Sequence, residues 1–376
     1  MNRFSKTAAS LLTLLLLSGC WDQQLLKSSR IIHIGGFDRG EGDRLKVTVA
    51  FPDVSSIESG RSETNEIHTV TSNTTQHARG ILDHEISGNY SPSKLLVLLL
   101  GEEWARAQNI MPYMDVYYRD PKSPLNARLA VVNGTAEGLI DLKKVGTKLI
   151  GRFLDALLEN MEDGTFIPRV NFQSIGPVKP GQDFALPYVS IHNKKPVVQG
   201  VALFHRNVMT ASLSSEESLI YLLLKGQKGK TARLTLPVNI GEEEEEHETT
   251  KADRYITVDL HKYSHKIKVE LTESGGVRVK VQLKINAAII EYPLDRLNKK
   301  ETLQKLNAEL SRLLTARAKT VTRKMQEANH DGYGVALRLM AFHPEAWKKM
   351  NWEEDYKEVQ FEPDIRLKIE RKGITF

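Results

Sequence analysis

Residues 277–285 read Val-Arg-Val-Lys-Val-Gln-Leu-Lys-Ile, an unbroken alternation of apolar and polar side chains. Successive side chains of a strand point to opposite faces, so this segment has one dry face and one wet face. It follows the tight-turn sequence Ser274-Gly275-Gly276 and a strand-like stretch at 266–273, which makes an antiparallel hairpin. A one-sided sheet needs a cover, and residues 296–328 supply a helical pattern long enough to be one. At about 100° per residue, Leu303, Leu306, Leu310, Leu313, Leu314, Val321 and Met325 gather on one side of that helix. Lys305, Arg312, Lys319 and Arg323 gather on the other, with few acids among them. The ordinary reading of that stripe is a solvated outer face. The functional reading is a contact with lipid phosphates or an acidic partner.

Upstream, strands are expected at 30–37, 45–51, 94–100 and 127–133, with the turn 38–43 closing the first pair. The apolar run 94–100 is too continuous for an exposed edge and reads as a central strand. Helices are expected at 73–86, at 102–118 with a break near Pro112, at 135–142 and at 149–161. Pro177, Pro180, Gly181 and Pro187 form the best linker signal. Beyond it come strands at 197–204 and 208–213, a short helix at 215–224 capped by Ser214 or Ser215, and a strand at 232–238. The acidic run 242–246 repels itself and reads as a mobile loop. After strands at 254–260, 266–273 and 277–290 and the long helix, a short helix at 344–350 and a strand at 364–370 close the chain. The expected class is α+β, with mixed or antiparallel sheets and packed helices in three domains. Their limits are 20–190, 191–250 and 251–376, the last an antiparallel sheet under the long helix.

The chain has one cysteine, Cys20. Arg3 and Lys6 precede a short apolar run, then Leu17-Ser18-Gly19-Cys20. This is the pattern of a secretory signal, residues 1–19, ending in a lipobox. The thiol accepts diacylglycerol, the chain is cut before Cys20, and acyl chains hold the product at the membrane. The apolar run is too short to span a bilayer. With its thiol acylated, the chain has none left for disulfides or metal ligation. The net charge of +5 is modest and no arginine-rich arm is present, so nucleic acid is not the expected partner. A basic balance suits an anionic membrane surface.

Catalytic signatures fail one by one. Ser91-Pro-Ser-Lys94 matches a Ser-x-x-Lys pattern, but Pro92 and the following β-like run oppose the helix that pattern needs. Gly226-Gln-Lys-Gly-Lys-Thr231 resembles a phosphate loop, but the spacing is wrong and it follows a helix instead of opening one. His77 and His84, and His261 and His265, lack carboxylates at metal-ligand spacing. No cofactor, metal or catalytic residue is expected, and the chain reads as a binding or assembly protein.

Several motifs recur in a recognisable order: Gly19-Cys-Trp-Asp22, Gly35-Gly-Phe-Asp-Arg-Gly40, Leu98-Leu-Leu-Gly-Glu-Glu-Trp-Ala-Arg106, Tyr118-Arg-Asp-Pro121, Gly200-Val-Ala-Leu-Phe204 and Asp331-Gly-Tyr-Gly334. Across nearly its whole length the chain resembles the Ger(x)C lipoprotein family, the C subunit of spore germinant receptors. The resemblance implies a three-domain α+β protein, anchored by Cys20 to the outer face of the spore's inner membrane. It also implies A and permease-like B subunits as partners in a nutrient-triggered, non-catalytic response. It points to Arg119 and Asp120 as a family-motif surface, although a charged pair after a helix is more often a local cap. Residues 122–125, Lys-Ser-Pro-Leu, lack an arginine the family pattern has there, and the 331–334 segment is shortened. The competing reading is a solute-binding lipoprotein of an importer, which would be built from two βαβ lobes.

Overall fold

The computed structural model describes residues 29–53, 63–176, 183–238, 250–293, 297 and 299–371. Cys20, the leader, Pro177, Pro180, Gly181 and the acidic run 242–246 lie outside them.

The first half carries β1 (Ser29–Ile31), β2 (Ile34–Arg39), β3 (Leu45–Asp53), β4 (Thr64–Ser72), α1 (Thr75–Glu85), β5 (Asn89–Ser91), β6 (Val97–Gly101), α2 (Glu102–Ala107), α3 (Met111–Arg119), β7 (Arg128–Val132), α4 (Ala136–Ile140), the small hairpin β8 (Lys144–Val145) and β9 (Lys148–Leu149), and α5 (Ile150–Asp163). Then follow β10 (Ala185–His192), β11 (Lys195–His205), β12 (Val208–Ser214), α6 (Ser215–Lys225), β13 (Arg233–Pro237), β14 (Tyr255–Leu271) and β15 (Val277–Glu291). The chain ends with α7 (Lys300–Glu327), α8 (Val335–Phe342), α9 (Pro344–Trp347), α10 (Trp352–Asp355) and β16 (Gln360–Arg371).

An eight-stranded sheet runs β12-β11-β10-β7-β6-β2-β3-β4, and a four-stranded sheet runs β13-β14-β15-β16. The fold is α+β, as the sequence predicts. In the large sheet β10, β7, β6 and β2 are parallel neighbours, flanked by antiparallel hairpins on both sides. The expected strand at 94–100 is placed at its centre as β6, Val97–Gly101, whose five residues are all buried, while Lys94 ahead of it is exposed.

The three-domain division is not what the sheets follow. Residues 191–250 form no sheet of their own among the described residues. β11 and β12 extend the large sheet, and β13 joins the small one. Pro187 belongs not to a linker but to β10, opposite Val201. One apolar cluster continues from Ile34 and Val97 through α6 to Val279 and Leu310, so the two sheets share a core. A second cluster fills the far side of the large sheet around Phe37, Trp104 and Met114.

In the small sheet β13, β14 and β15 are antiparallel, whereas β16 runs parallel to β15. The reason is the connection. A 28-residue helix, about 42 Å long, returns the chain to the starting end before β16 begins. The strands expected at 254–260 and 266–273 are one strand, β14, with irregular register between Leu260 and Lys262.

β16 is an edge, and α7 closes it. The side-chain oxygens of Asn307, Ser311 and Thr315, one turn apart, accept the backbone N–H groups of Ile369, Leu367 and Ile365 at 2.9, 2.9 and 3.1 Å. An open row of N–H groups is a template for another strand, and these three side chains occupy it.

Candidate functional site

The densest buried polar cluster lies where the two sheets meet. Helix α7 ends in a Schellman turn: Asn329 takes a left-handed φ of 52°, and His330 N–H returns to Met325 O at 2.9 Å. That turn drives the fully buried His330 into the large sheet. Its Nδ1 donates to Phe204 O on β11 at 2.7 Å, so Nε2 is the acceptor and takes the Tyr221 hydroxyl of α6 at 3.1 Å. Tyr356 O–H donates to His330 O at 2.6 Å. Burial lowers the His330 pKa from 6.5 to about 4, so the ring is neutral at physiological pH.

Asp331 performs a second task. Its two carboxylate oxygens accept Val335 N–H and Ala336 N–H, each at 2.8 Å, and so cap α8. Burial still raises its pKa from 3.8 to about 6. Asp331 N–H in turn donates to Asp183 Oδ2 at 2.8 Å, and the same oxygen meets His205 Nδ1 at 3.0 Å. His205 Nε2 lies 3.1 Å from Glu353 Oε2. Burial lowers the His205 pKa, but the Asp183 and Glu353 carboxylates outweigh it and leave the pKa raised. Burial by itself would raise Asp183, but its bond to His205, the nearby histidines and the Asp331 N–H together outweigh that and leave its pKa lowered.

A pocket of about 360 Å³ opens beside this cluster, lined among others by Asp183, Lys225, Asp331, Tyr333 and Arg338. Burial pulls the Lys225 pKa down, with Asp331 and Asp183 acting against it. The buried Tyr333 hydroxyl makes no hydrogen bond among the described residues. The pocket has mixed charge and could hold a small polar molecule. Every histidine nitrogen of the cluster is engaged by a carboxylate, a carbonyl or a phenol, and none by a hydroxyl or thiol nucleophile. No group of three metal-ligating residues occurs among the described residues.

The sequence-predicted residues fall elsewhere and do not converge. Arg119 is exposed and reaches back one turn to Asp115 at 2.7 Å. Asp120 has a structural task. It accepts Arg79 Nη1 at 2.9 Å and Lys122 N–H at 2.9 Å. Arg79 is 8% exposed and packs over the rings of Tyr117 and Tyr90 at 5.0 and 5.5 Å. Asp120→Ala strands a buried guanidinium and should cost about 2–3 kcal/mol in urea unfolding. Arg119→Ala should leave the unfolding midpoint unchanged.

On α7, Arg312 is held by both oxygens of Glu309 at 2.7 and 2.8 Å, and Arg323 faces Glu327 at 3.8 Å. Only Lys305 and Lys319 of the four stripe residues are left without an ion pair among the described residues. The phosphate-loop lookalike is a clasp. Gly229 N–H meets Thr165 Oγ1 at 2.9 Å, and Lys230 pairs with Asp163 at 2.7 Å, tying the end of α6 to the end of α5.

The Gly35–Gly40 motif quoted for the family resemblance serves close packing. A Cβ on Gly36 would lie 2.6 Å from the Cβ of Ala136, so β2 can run directly beneath α4. Asp38 caps that helix from below, accepting Ala136 N–H at 2.8 Å and Glu137 N–H at 2.9 Å. Comparison with known families gives two matches. The family described as the spore germination protein N-terminal domain matches residues 22–191, and that described as spore germination B3/GerAC-like, C-terminal, matches residues 199–373. The chain belongs to the spore germination protein family, of the germinant-receptor C-subunit type. Spore germination protein B3 of Bacillus subtilis (strain 168) is 24% identical over an alignment of 386 positions, gaps included, that covers 98% of each chain. The crystal structure of the GerBC protein shares the fold, with a TM-score of 0.55 at 21% identity over 89% of this chain and 96% of that one. The two family matches meet at the β10–β11 hairpin, inside a continuous sheet. Sequence reading missed the cluster of Asp183, His205 and His330. The signal was present, because His330 directly precedes the Asp331-Gly-Tyr-Gly334 motif.

Proposed function

We propose that this protein is the lipid-anchored C subunit of a spore germinant receptor. It sits on the outer face of the spore's inner membrane and acts with membrane-embedded A and permease-like B subunits in the nutrient-triggered germination response. Its role is non-catalytic. The observation that carries this reading is the pair of family matches spanning 22–191 and 199–373, which begin two residues after the lipobox cysteine. The saturated histidines of the buried cluster support the non-catalytic part. The importer reading has less support, because the two sheets share one core and only the large one has a parallel centre.

Cys20→Ala tests the anchor and the role together. The variant should leave a membrane fraction washed at high salt, where electrostatic docking is screened, and germination triggered by nutrients should fall at least tenfold, scored against spores triggered by a route that needs no receptor. Retention through that wash without the thiol would sink the anchor. An undiminished response to every nutrient, in a strain without paralogues, would sink the receptor role.

A further inference from the structure

The small sheet buries one face under α6 and α7 and leaves the other to solvent. Odd-numbered residues of β15 (Val279, Val281, Leu283, Ile285) are buried, and the even-numbered ones point out. On the outer face three rows of three residues cross β14, β15 and β16. The rows are Lys262–Asn286–Lys368, Ser264–Lys284–Arg366 and Lys266–Gln282–Asp364. With strands ~4.8 Å apart and alternate residues ~6.7 Å apart, this block measures about 10 by 14 Å. It holds five cations and a single acid, Asp364, which pairs with Arg366 at 3.0 Å.

The rest of the same face is handled differently. Nearer the β14–β15 turn, Lys268 and Lys280 stand opposite one another and share Glu270, at 2.5 and 2.9 Å. There Arg278 pairs with Glu362 at 3.1 Å. So where like charges face each other at the turn end, the sheet supplies an acid that bridges both. In the block the one directly opposed like pair is Lys284 with Arg366; Asp364 pairs with Arg366 alone, and Glu370 at the block's margin accepts from Asn286 at 2.9 Å. Lys262, Lys266, Lys284 and Lys368 are exposed and make no ion pair among the described residues. Like charges directly opposite on a sheet are destabilising, and an anionic surface laid against the block would relieve them.

We propose that this outer face docks on the anionic headgroup surface of a lipid bilayer. Three observations choose lipid over an acidic protein. The four unpaired cations are all lysines, point charges that suit scattered phosphates, whereas protein interfaces favour arginine and deplete lysine. The block contains no aromatic side chain, the usual anchor of a protein interface. And the chain between Cys20 and Ser29 can span at most about 30 Å, less than the breadth of a body this size. This last argument rests on the anchor reading, and the first two do not. An anchored body on so short a leash can lay a basic face on the bilayer.

The test uses the mature chain from residue 20 without its lipid (Cys20→Ser), so the anchor contributes nothing. Its co-sedimentation with phosphatidylcholine vesicles containing phosphatidylglycerol is compared with that of the variant Lys262→Gln, Lys266→Gln, Lys284→Gln, Lys368→Gln. Each lysine near an anionic surface contributes on the order of fivefold to partitioning, so the variant should bind a hundredfold or more weaker. Salt should weaken the parent in the same way. The α7 double variant, Lys305→Gln with Lys319→Gln, should bind like the parent. Lys284→Glu, a single reversal at the centre of the block, provides a second variant with the same expected direction. The proposal is overturned by a parent that ignores anionic vesicles, by equal binding to pure phosphatidylcholine, or by an equal loss in the α7 variant. Binding of soluble polyglutamate without binding of vesicles would assign the face to an acidic polypeptide instead. None of these outcomes touches the Cys20 anchor, which is read in spores.

Discussion

Replacing His330 by alanine is expected to remove about 4 kcal/mol of stability, the largest single effect outside the backbone. Two losses combine. The ring is fully buried, so its removal leaves a cavity. It also leaves Phe204 O and the Tyr221 hydroxyl without their partner in a dry site. Because the ring joins the turn after α7 to β11 and α6, the measured midpoint should fall for both sheets together. Urea unfolding of a chain that keeps only Trp104 of its four tryptophans, followed by that residue's fluorescence in the large sheet's far core and by far-ultraviolet dichroism, checks this. Separate transitions by the two probes would contradict the shared core. The pH dependence follows from the depressed pKa. Between 6.5 and about 4 the unfolded chain accepts a proton that the folded site refuses. The stability held by neutral His330 is therefore present above 6.5 and lost as pH falls through that window, about 3 kcal/mol by pH 4. Asp331, raised to about 6, acts in the opposite sense, because its folded carboxyl protonates first. His205 also opposes, its raised pKa giving stability below 6.5 that is lost as pH rises through the folded value. Comparing His330→Gln with the parent isolates the first term. The gap between them should narrow as pH drops from 6.5 to 4.

Gly200→Ala is expected to cost about 3–5 kcal/mol, although it adds one methyl group. Gly200 has φ of 146°, outside the range of an L side chain. A Cβ there would collide with the carbonyl oxygen of Leu213 on β12. Backbone, unlike a side-chain tip, has no rotamer in which to retreat. The residue also sits at a bulge: β10 pairs Tyr188 with Gly200 and then Val189 with Val198, leaving Gln199 over. The strained variant should release the β11–β12 edge first. Hydrogen exchange would show that edge losing protection ahead of β6 and β7, and equal protection in both variants would refute the assignment.

Local chemistry announced most of the fold. The alternation in β15, the Ser214–Glu217 capping box of α6 and the continuous apolar run of β6 each specify an element without help from distant residues. What the sequence concealed depends on long-range pairing. Pro187 looks like punctuation until Val201 is placed opposite it. The strand pairs of 191–250 look like a separate unit until their neighbours are known, because hairpins carry no mark of the sheet they will extend. The α7 stripe looked more basic than it is, since Glu309 and Glu327 lie on the same exposed side and neutralise Arg312 and Arg323. The lysine block was spelled out at period two in β14, β15 and β16, but register alone brings the three rows together.

The row of Asn307, Ser311 and Thr315 along the last strand has a consequence for how this protein can be gripped. At the opposite margin of the same sheet stands β13, five residues long and ending in Pro237, which offers no N–H. Past it β14 runs on from His261 to Leu271 with no strand on that side among the described residues, so a visiting strand has room there but not along the stitched length of β16. The face between the two margins is met flat, side chain by side chain. A contact of that kind comes apart piecemeal and leaves the ladder beneath it intact, so what sits on this face can be exchanged without unfolding what carries it.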